Sequence, residues 1–214
     1  MTIIYLHGFG SSPQSGKAQF LKQKCQEISR ELLIPDLTLG NFQTMTITKI
    51  LNYLQHSFSN EALLVVGSSL GGFIAVQWAI RNVQIKEMIL LAPALNFPAA
   101  IGQWIGSEAL AEWEKQGTRE FFHYGFQKNI ALNYEFYLDA QQYRHWQLAR
   151  TLSIAILHGK QDEVVPAEVS IEFQKQYPQV ELHLVESDHS LNDPVSLELL
   201  WQKLKSAIER LDDV

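Results

Sequence analysis

The chain has 214 residues, the size of one domain or of one domain with an insertion. Hydrophobic residues make up 46% and charged residues 19%, as in an ordinary soluble globular protein. The formal net charge of -6 argues against a nucleic-acid-binding protein, since such proteins carry a basic surface. No apolar run reaches the roughly 18 residues that a membrane-spanning helix needs, so no stable membrane insertion is expected.

The N-terminal sequence and the cysteine content predict the cellular compartment of the protein. The first residues lack the basic start and small-residue cleavage site of a signal peptide, and residues 2–6 resemble a strand instead. Cys25 is the only cysteine, so an internal disulfide is impossible and a reducing compartment is favoured. Cys25 falls within a predicted helix and is interpreted as a small core residue. The predicted location is the cytoplasm.

The first part of the chain predicts two strands and two helices. Residues 2–6 form a continuous apolar run that ends in a glycine-bearing loop, which is typical of a buried strand. Apolar residues then recur at helical spacing over about residues 15–30. Residues 32–34 predict a second short strand before a proline, and residues 46–58 carry an apolar stripe that predicts a second helix.

The chain is organised around the stretch that follows. A Val-rich strand over residues 63–66 leads directly into a G-x-S-x-G motif at residues 67–71, and an amphipathic helix is predicted over residues 73–80. In a strand–turn–helix context this motif predicts a nucleophile elbow, whose strained turn exposes the serine hydroxyl above the sheet. Ser69 is therefore the candidate nucleophile. Ser68 is its rival, but it occupies a variable position and is interpreted as a turn residue.

The last part of the chain continues the alternation of strands and helices. Strands are predicted over residues 87–91, 153–157 and 180–185, a helix over about 166–177, and a final amphipathic helix over 194–211. Alternating strands and helices imply a parallel sheet covered on both faces, with right-handed crossovers.

Residues 96–150 interrupt this alternation. They contain no convincing strand and hold twelve of the 23 aromatic residues. Because a connection of this length is far longer than an ordinary loop, it is interpreted as a helical cap insertion over the strand ends. The predicted division is a core of residues 1–95 and 151–214 and a cap of residues 96–150. Most of the aromatics are expected to form the cap's own core, and some to face a binding cleft.

A serine, an aspartate and a histidine each follow a different strand of the predicted sheet. Ser69 ends the third strand, Asp162 follows the fifth and His189 follows the sixth. Ligands of open parallel sheets bind at the carboxyl ends of the strands. A serine hydroxyl needs an imidazole to take its proton, and the imidazolium needs a carboxylate on its other nitrogen. The three residues therefore predict a catalytic triad.

Other acids and histidines compete for these roles. The rivals of Asp162 are Glu163, Asp188 and Asp193. Asp188 directly precedes His189, which makes a bond to its ring awkward, and Asp162 is favoured over all three. His7 and His158 are expected to support loops. The remaining histidines are interpreted as surface residues: His56, His123, His145 and His183.

Backbone groups are predicted to complete the site. A tetrahedral oxyanion needs two donors already aimed at it. The N–H of Leu70, directly after the nucleophile, supplies one, and the N–H of Phe9 in the loop after the first strand is the candidate for the other. Gly8 and Gly10 let that loop lie close to the elbow.

Cofactor sites fit the sequence badly. Residues 10–17 resemble a phosphate-binding loop, but five residues separate the glycines where four are required, and Ala18 replaces the magnesium-binding Ser or Thr. A dinucleotide fingerprint starting at Gly8 fails because Pro13 replaces its third glycine. No His or Cys pair has metal-ligand spacing. No cofactor and no metal are expected.

With these motifs assembled, the chain resembles the α/β-hydrolase superfamily, and more closely the small YqiA-like serine esterases. The resemblance rests on residues 5–13, on Lys17-Ala18 and on residues 66–72. Residues 159–162 and Asp188-His189 fit the general hydrolase pattern, and the order Ser, Asp, His is the order of this superfamily. The cap is the part that matches least.

The resemblance implies a three-layer α/β-hydrolase fold: a compact, six-stranded, mostly parallel sheet with a helical cap and without the N-terminal hairpin of larger relatives. It also implies hydrolysis of short acyl esters or thioesters through an acyl-enzyme by Ser69, Asp162 and His189. Two alternatives stay open. The same triad could serve another reaction, as in peptidases, cofactor-free haloperoxidases or lyases, or the scaffold could be a non-catalytic ligand receptor.

Overall fold

A computed structural model describes residues 1–58, 61–144, 147–148 and 151–213. Some residues of the sequence predictions lie outside these ranges. They are His145, predicted at the surface, Trp146, an aromatic residue of the predicted cap, and the predicted ends of the cap and the core, Arg150 and Val214.

Eight strands form two sheets within the described residues. They are β1 (Thr2–Leu6), β2 (Leu32–Leu33), β3 (Leu63–Ser68), β4 (Ile85–Leu91), β5 (Thr118–His123), β6 (Lys128–Asn133), β7 (Ser153–Gly159) and β8 (Glu181–Val185). The main sheet has the order β2-β1-β3-β4-β7-β8, and every neighbouring pair in it is parallel. The predicted six-stranded sheet is therefore confirmed, and its carboxyl-terminal ends lie along one edge.

Eight α-helices accompany these strands in the same ranges. They are α1 (Gly16–Glu27), α2 (Ile47–Ser57), α3 (Leu70–Arg81), α4 (Phe97–Ile105), α5 (Ser107–Gln116), α6 (Glu135–Ala140), α7 (Glu168–Gln176) and α8 (Pro194–Asp212). Helix α7 begins later than predicted, because the carbonyl of Pro166 accepts from the N–H of Val169 in a turn before the helix. None of the described helices is both long and apolar enough to cross a membrane.

The pleat of the strands creates the three layers. Successive strand residues point to opposite faces of a sheet, so Ile3 and Tyr5 pack with α1 and α8, while Ile4 and Leu6 pack with α2 and α3. Cys25 is buried in the layer of α1 and α8, as predicted for a core residue. Two apolar cores thus cover the sheet, one on each face.

Helix α3 corrects the prediction of an amphipathic helix. It begins at Leu70, and its residues are buried from there to Ala79. The sheet lies on one side of it and α2 on the other, and the Phe73 ring contacts Phe97 of α4 at 5.8 Å. An enclosed helix has no solvent face, and only its last turn, with Ile80 40% exposed, is accessible.

The cap contains helices as predicted, but the prediction that it contains no strand was wrong. Strands β5 and β6 form an antiparallel hairpin in register from Thr118–Asn133 to His123–Lys128. Phe121 and His123 are buried on one side of β5, while Glu120 and Phe122, which alternate with them along the strand, are exposed. The cap therefore combines helices α4, α5 and α6 with a hairpin.

His123 also corrects a prediction, since it is fully buried rather than at the surface. Its ring lies 5.0 Å from that of Phe42 and 4.4 Å from that of Phe126, and its Nδ1 accepts from the N–H of Phe126 at 3.3 Å. Burial lowers the pKa of this imidazole, which keeps it neutral inside the packing between cap and core.

Candidate active site

Ser69 occupies the turn between β3 and α3 with φ 53° and ψ -115°. A positive φ is strained for any residue with a side chain, so the surroundings must impose it. The N–H of Ser69 donates to Leu91 at 2.9 Å, and its carbonyl accepts from Ala94 at 3.1 Å. A Cβ on Gly71 would collide with the carbonyl of Leu6, so only glycine lets β1 and the elbow approach this closely.

Ser68, the rival nucleophile, is the last residue of β3 rather than a turn residue. It is buried and hydrogen-bonds the phenol of Tyr5. Burial raises the pKa of Tyr5 to about 12, so this phenol stays protonated and neutral. Both serines border the cleft, but Ser68 is buried against Tyr5, whereas Ser69 stands at the elbow.

The three predicted residues of the triad meet at the ends of their strands. The Nε2 of His189 lies 3.1 Å from the Oγ of Ser69, and its Nδ1 lies 2.7 Å from the Oδ2 of Asp162. With the proton on Nδ1, the imidazole donates to the carboxylate and accepts from the serine hydroxyl. This geometry suits transfer of the serine proton to the imidazole.

The carboxylate of Asp162 is buried and firmly held. Its Oδ1 accepts from the N–H groups of Val164 at 2.9 Å and Val165 at 2.8 Å, and its Oδ2 lies 3.2 Å from the Nε2 of His158. Burial by itself raises the pKa of Asp162, but hydrogen bonds from His158, His189 and Val165 outweigh it and hold the pKa well below its usual range. The group stays ionised, as an orienting carboxylate must.

His158 lies beneath the loop that carries this acid, as expected. Its Nδ1 is 2.7 Å from the Oγ of Ser170, and its Nε2 is 2.8 Å from the carbonyl of Val165. The ring is fully buried at the end of β7. It thus joins the acid loop to helix α7.

The rival acids have other partners. Asp188 accepts from the N–H and hydroxyl of Ser190, and Asp193 caps α8 and accepts from the hydroxyl of Ser187. Glu163 is exposed. Among the described carboxylates, Asp162 is the one within ion-pair distance of the His189 ring.

The loop after β1 runs beside the candidate nucleophile, Ser69. A Cβ on Gly8 would lie 3.5 Å from the Cβ of Ser69, so the peptide joining Gly8 to Phe9 passes close to the elbow. Leu70 is the first residue of α3, where a backbone N–H has no partner within the helix. The N–H groups of Phe9 and Leu70, the candidate oxyanion donors, thus lie in the two segments that border Ser69.

Above these residues lies a cleft of about 1250 Å³, with Ser69 and His189 in its wall. The cap aromatics that line it are Phe97, Trp104, Phe121, Phe122 and Tyr124. Others instead form the cap's own core, such as Trp113, whose indole N–H donates to the carbonyl of Leu132 at 2.9 Å. The cleft combines an apolar wall with a reactive polar end, as small-molecule sites do.

Lys17 is a residue of this region to which sequence reasoning gave no role. Its Nζ donates to the carbonyl oxygen of Ser190, the residue after His189. Burial lowers the pKa of Lys17 to about 8, against the opposing effect of Asp188 and Asp162. The only sequence signal was its place in the Lys17-Ala18 pair. Within the described ranges, no three His, Cys, Asp or Glu side chains are grouped to bind a metal.

The chain matches one family model and resembles several known proteins. The model of UPF0227, described as an uncharacterised protein family, matches residues 2–204. The chain belongs to the UPF0227 family. This UPF0227 protein is also 23% identical over 229 residues to mouse (Mus musculus) "Palmitoyl-protein thioesterase ABHD10, mitochondrial", covering 99% of this chain and 76% of the relative. The rat (Rattus norvegicus) protein of that name is 25% identical over 228 residues, with the same coverage.

Solved structures agree with the fold of this UPF0227 protein. Mouse ABHD10 superimposes with a TM-score of 0.81 at 23% identity, covering 98% of this chain and 90% of that one. Est1E from Butyrivibrio proteoclasticus with ferulic acid bound gives a TM-score of 0.75 at 22% identity, covering 98% and 88%. The predicted α/β-hydrolase fold and the resemblance to the YqiA-like proteins are confirmed.

Proposed function

We propose that the protein is a serine hydrolase that cleaves short acyl esters or thioesters through an acyl-enzyme. The observation that carries the proposal is the continuous hydrogen-bonded line from Ser69 through His189 to Asp162, with heavy-atom distances of 3.1 and 2.7 Å. The strained conformation of Ser69 supports it, because strain of this kind is found where a nucleophile must be exposed.

In the proposed first half-reaction, the Oγ of Ser69 attacks the acyl carbonyl while the Nε2 of His189 takes the hydroxyl proton. The carbonyl becomes a tetrahedral oxyanion, stabilised by the N–H groups of Phe9 and Leu70. The ionised Asp162 stabilises the imidazolium. The intermediate collapses by breaking the bond to the leaving alcohol or thiol, which takes the proton from His189.

In the second half-reaction, His189 removes a proton from water and the resulting hydroxide attacks the acyl-Ser69 ester. The second tetrahedral intermediate releases the carboxylic acid, and Ser69 regains its proton from His189. Atoms balance with water as the only co-reactant, so the proposed reaction needs no cofactor.

The substrate class is supported by the cleft and by the relatives. Aromatic side chains of the cap, such as Phe121 and Phe122, give the cleft an apolar wall that suits an acyl group. A relative is named a palmitoyl-protein thioesterase, and ferulic acid is bound in a structural neighbour. We propose the cytoplasm as the place of the reaction.

A burst of p-nitrophenol from a short-chain p-nitrophenyl ester tests the proposal, because acyl-enzyme accumulation gives such a burst. We expect Ser69→Ala to abolish turnover, while its stability stays within roughly 1 kcal/mol of wild type. Ser68→Ala is the matched control and should retain most of the turnover. Near-wild-type turnover in Ser69→Ala would end the assignment of the nucleophile.

A parallel screen of esters and thioesters of different chain lengths separates the remaining alternatives. Turnover confined to peptide or halogenation substrates would indicate that the triad serves another reaction. A well-folded protein that gives no burst, and that no serine-directed fluorophosphonate labels at Ser69, would indicate a ligand receptor.

A further inference from the structure

The loop that carries Phe9 is held from two sides. We name residues 7–12 the oxyanion loop and residues 122–126 of the cap the hairpin end. On the core side, the Nε2 of His7 accepts from the N–H of Leu37 at 3.1 Å. On the other side, the cap contacts both the backbone of the loop and the ring of Phe9.

The ring of Phe9 is anchored among cap aromatics. It meets Phe121 of β5 edge-on at 5.3 Å and Trp104 of α4 edge-on at 6.3 Å, and lies 5.8 Å from Phe136 of α6. Edge-to-face pairs at these distances are favourable beyond the area that they bury. Phe42 of the core contacts the same ring at 5.5 Å, so the cap supplies most but not all of the contacts that fix the side chain of this proposed oxyanion donor.

The backbone after Phe9 is fixed by the hairpin end itself. The carbonyl of Gly10 accepts from the N–H of Tyr124 at 2.6 Å. Gly10 has φ 62°, and a Cβ there would lie 2.8 Å from the carbonyl oxygen of Phe122. Gly125 in turn packs against Ser12, whose Cβ would be 2.6 Å from a Cβ on that glycine. The two segments are thus in direct backbone contact at Gly10, and the Ser12 side chain packs on Gly125 beside it.

These contacts restrict the backbone around Phe9. Its ring is held by Phe121, and the carbonyl of Gly10, the next residue, is held by Tyr124, so the freedom of the Phe9 N–H is reduced. Such restriction matters because a donor misplaced by about 1 Å can cost about a hundredfold in rate.

From this arrangement we propose that the hairpin end is a positioning element for the reaction: it holds the Phe9 N–H where the oxyanion forms. The inference rests on the proposed function and makes the cap part of the catalytic apparatus as well as a wall of the cleft. The hairpin end does not touch the reacting atoms, so it acts through the oxyanion loop.

Gly10→Ala tests the contact, and Gly117→Ala is its matched control. Both glycines have positive φ, but an added Cβ at Gly117 meets no atom within 4 Å, although it lies in the same cap just before β5. We expect Gly10→Ala to lower kcat by about tenfold to a hundredfold, with KM changed by less than about threefold, since an oxyanion donor acts in the transition state. Gly117→Ala should keep kcat within about threefold of wild type.

A second pair keeps the test decisive if Gly10→Ala does not fold. Tyr124→Pro removes the N–H that Gly10 accepts from, while Tyr124→Ala keeps it, and both lose the phenol. The ratio of their kcat values reports the loss of this N–H together with the fixed φ of proline, and both changes act on the contact between the hairpin end and Gly10. We expect Tyr124→Pro to be at least about tenfold slower than Tyr124→Ala.

The Kd of an alkyl trifluoromethyl ketone, measured for the wild type and each variant, separates this positioning role from a role in stability alone. This compound forms a hemiketal with Ser69 whose oxygen resembles the oxyanion, so its affinity should fall in parallel with kcat. Wild-type protein without ester turnover would reject the proposed function, and this inference with it. Wild-type turnover with equal kcat in Gly10→Ala and Gly117→Ala, or in the Tyr124 pair, would overturn this inference alone.

Discussion

The candidate acid, Asp162, and the candidate oxyanion donor, Phe9, lie on two sides of the site, called here the acid side and the oxyanion side, and different parts of the chain hold them. Asp162 is fixed within the core, by the N–H groups of Val164 and Val165 and by His158. Phe9 is fixed largely by the cap, through its ring and through the hydrogen bond from Tyr124 to Gly10. One side depends on short polar contacts near the strand ends, and the other on packing between distant segments.

This difference shows how a core that is predictable from sequence can depend on an insertion that is not. Polar contacts around Asp162 arise between residues close together in the chain. The aromatic contacts of Phe9 include pairs of residues more than a hundred positions apart, such as Phe9 and Phe121. Substitutions should therefore disturb the two sides independently and by different physical routes.

The largest expected effect is on the acid side. Asp162→Asn should lower kcat by about 10⁴-fold, because an amide cannot hold the imidazole in the required tautomer or stabilise its charge. Asp188→Asn, the matched control, should cost little, since Asp188 bonds Ser190 and not the His189 ring. Steady-state ester kinetics measure both. The opposite ranking would transfer the role of the acid to Asp188.

A cavity in the cap should have the next largest effect. Trp113→Ala removes a buried indole and should cost about 3–5 kcal/mol in the free energy of unfolding. Urea denaturation measures this loss. Because Trp113 contacts Phe121 at 5.2 Å, and Phe121 contacts Phe9, kcat should also fall under conditions where the protein is folded.

The matched control for this cavity lies in the core. Leu204→Ala in the buried face of α8 should cost about 2–5 kcal/mol in unfolding free energy while leaving kcat close to wild type. Equal kcat losses in Trp113→Ala and Leu204→Ala would contradict a special link between the cap and the oxyanion side.

The smallest effect is expected at Lys17, which donates to Ser190 beside His189. Lys17→Met should lower kcat by about tenfold, because a buried carbonyl loses its donor and the His189 loop its tether. Lys22→Met, on the exposed side of the same helix, should leave kcat unchanged.

The pH dependence of stability provides a second measurement at Lys17. Its folded pKa of about 8 lies below the usual 10.5, so the folded state loses this proton first as pH rises. Between these values the unfolded state binds more protons, and this group therefore makes stability rise with pH. The unfolding free energy of Lys17→Met should rise less steeply over that window than that of wild type. Equal slopes would show that burial does not perturb this amine.

Much of the core could be predicted because its strands are short apolar runs bounded by glycine and proline. Residues 63–66 are hydrophobic without a break, as expected for a parallel strand buried on both faces, and the structure places β3 there. The meeting of Ser69, Asp162 and His189 follows from the same pattern, since parallel strands end at one edge of the sheet.

The cap hairpin could not be predicted in the same way. Strand β5 has the sequence TREFFH, in which two phenylalanines stand side by side and only one of them is buried. The buried partner of Phe121 on that face is His123, a polar residue whose burial depends on Phe42 of the core and Phe126 of the hairpin end. Neither contact changes the hydrophobic pattern of the strand, so periodicity could not reveal the hairpin, although Gly125 was an available turn signal.

The sequence by itself determined the sheet, the elbow and the order of the three triad candidates, because hydrophobic burial and glycine geometry act over a few neighbouring residues. Only the tertiary structure decided which cap aromatics face the cleft, why His123 is buried, and how Gly10 meets Tyr124. These depend on packing between segments far apart in the chain, and such packing is set by the shape of the whole fold rather than by any local pattern.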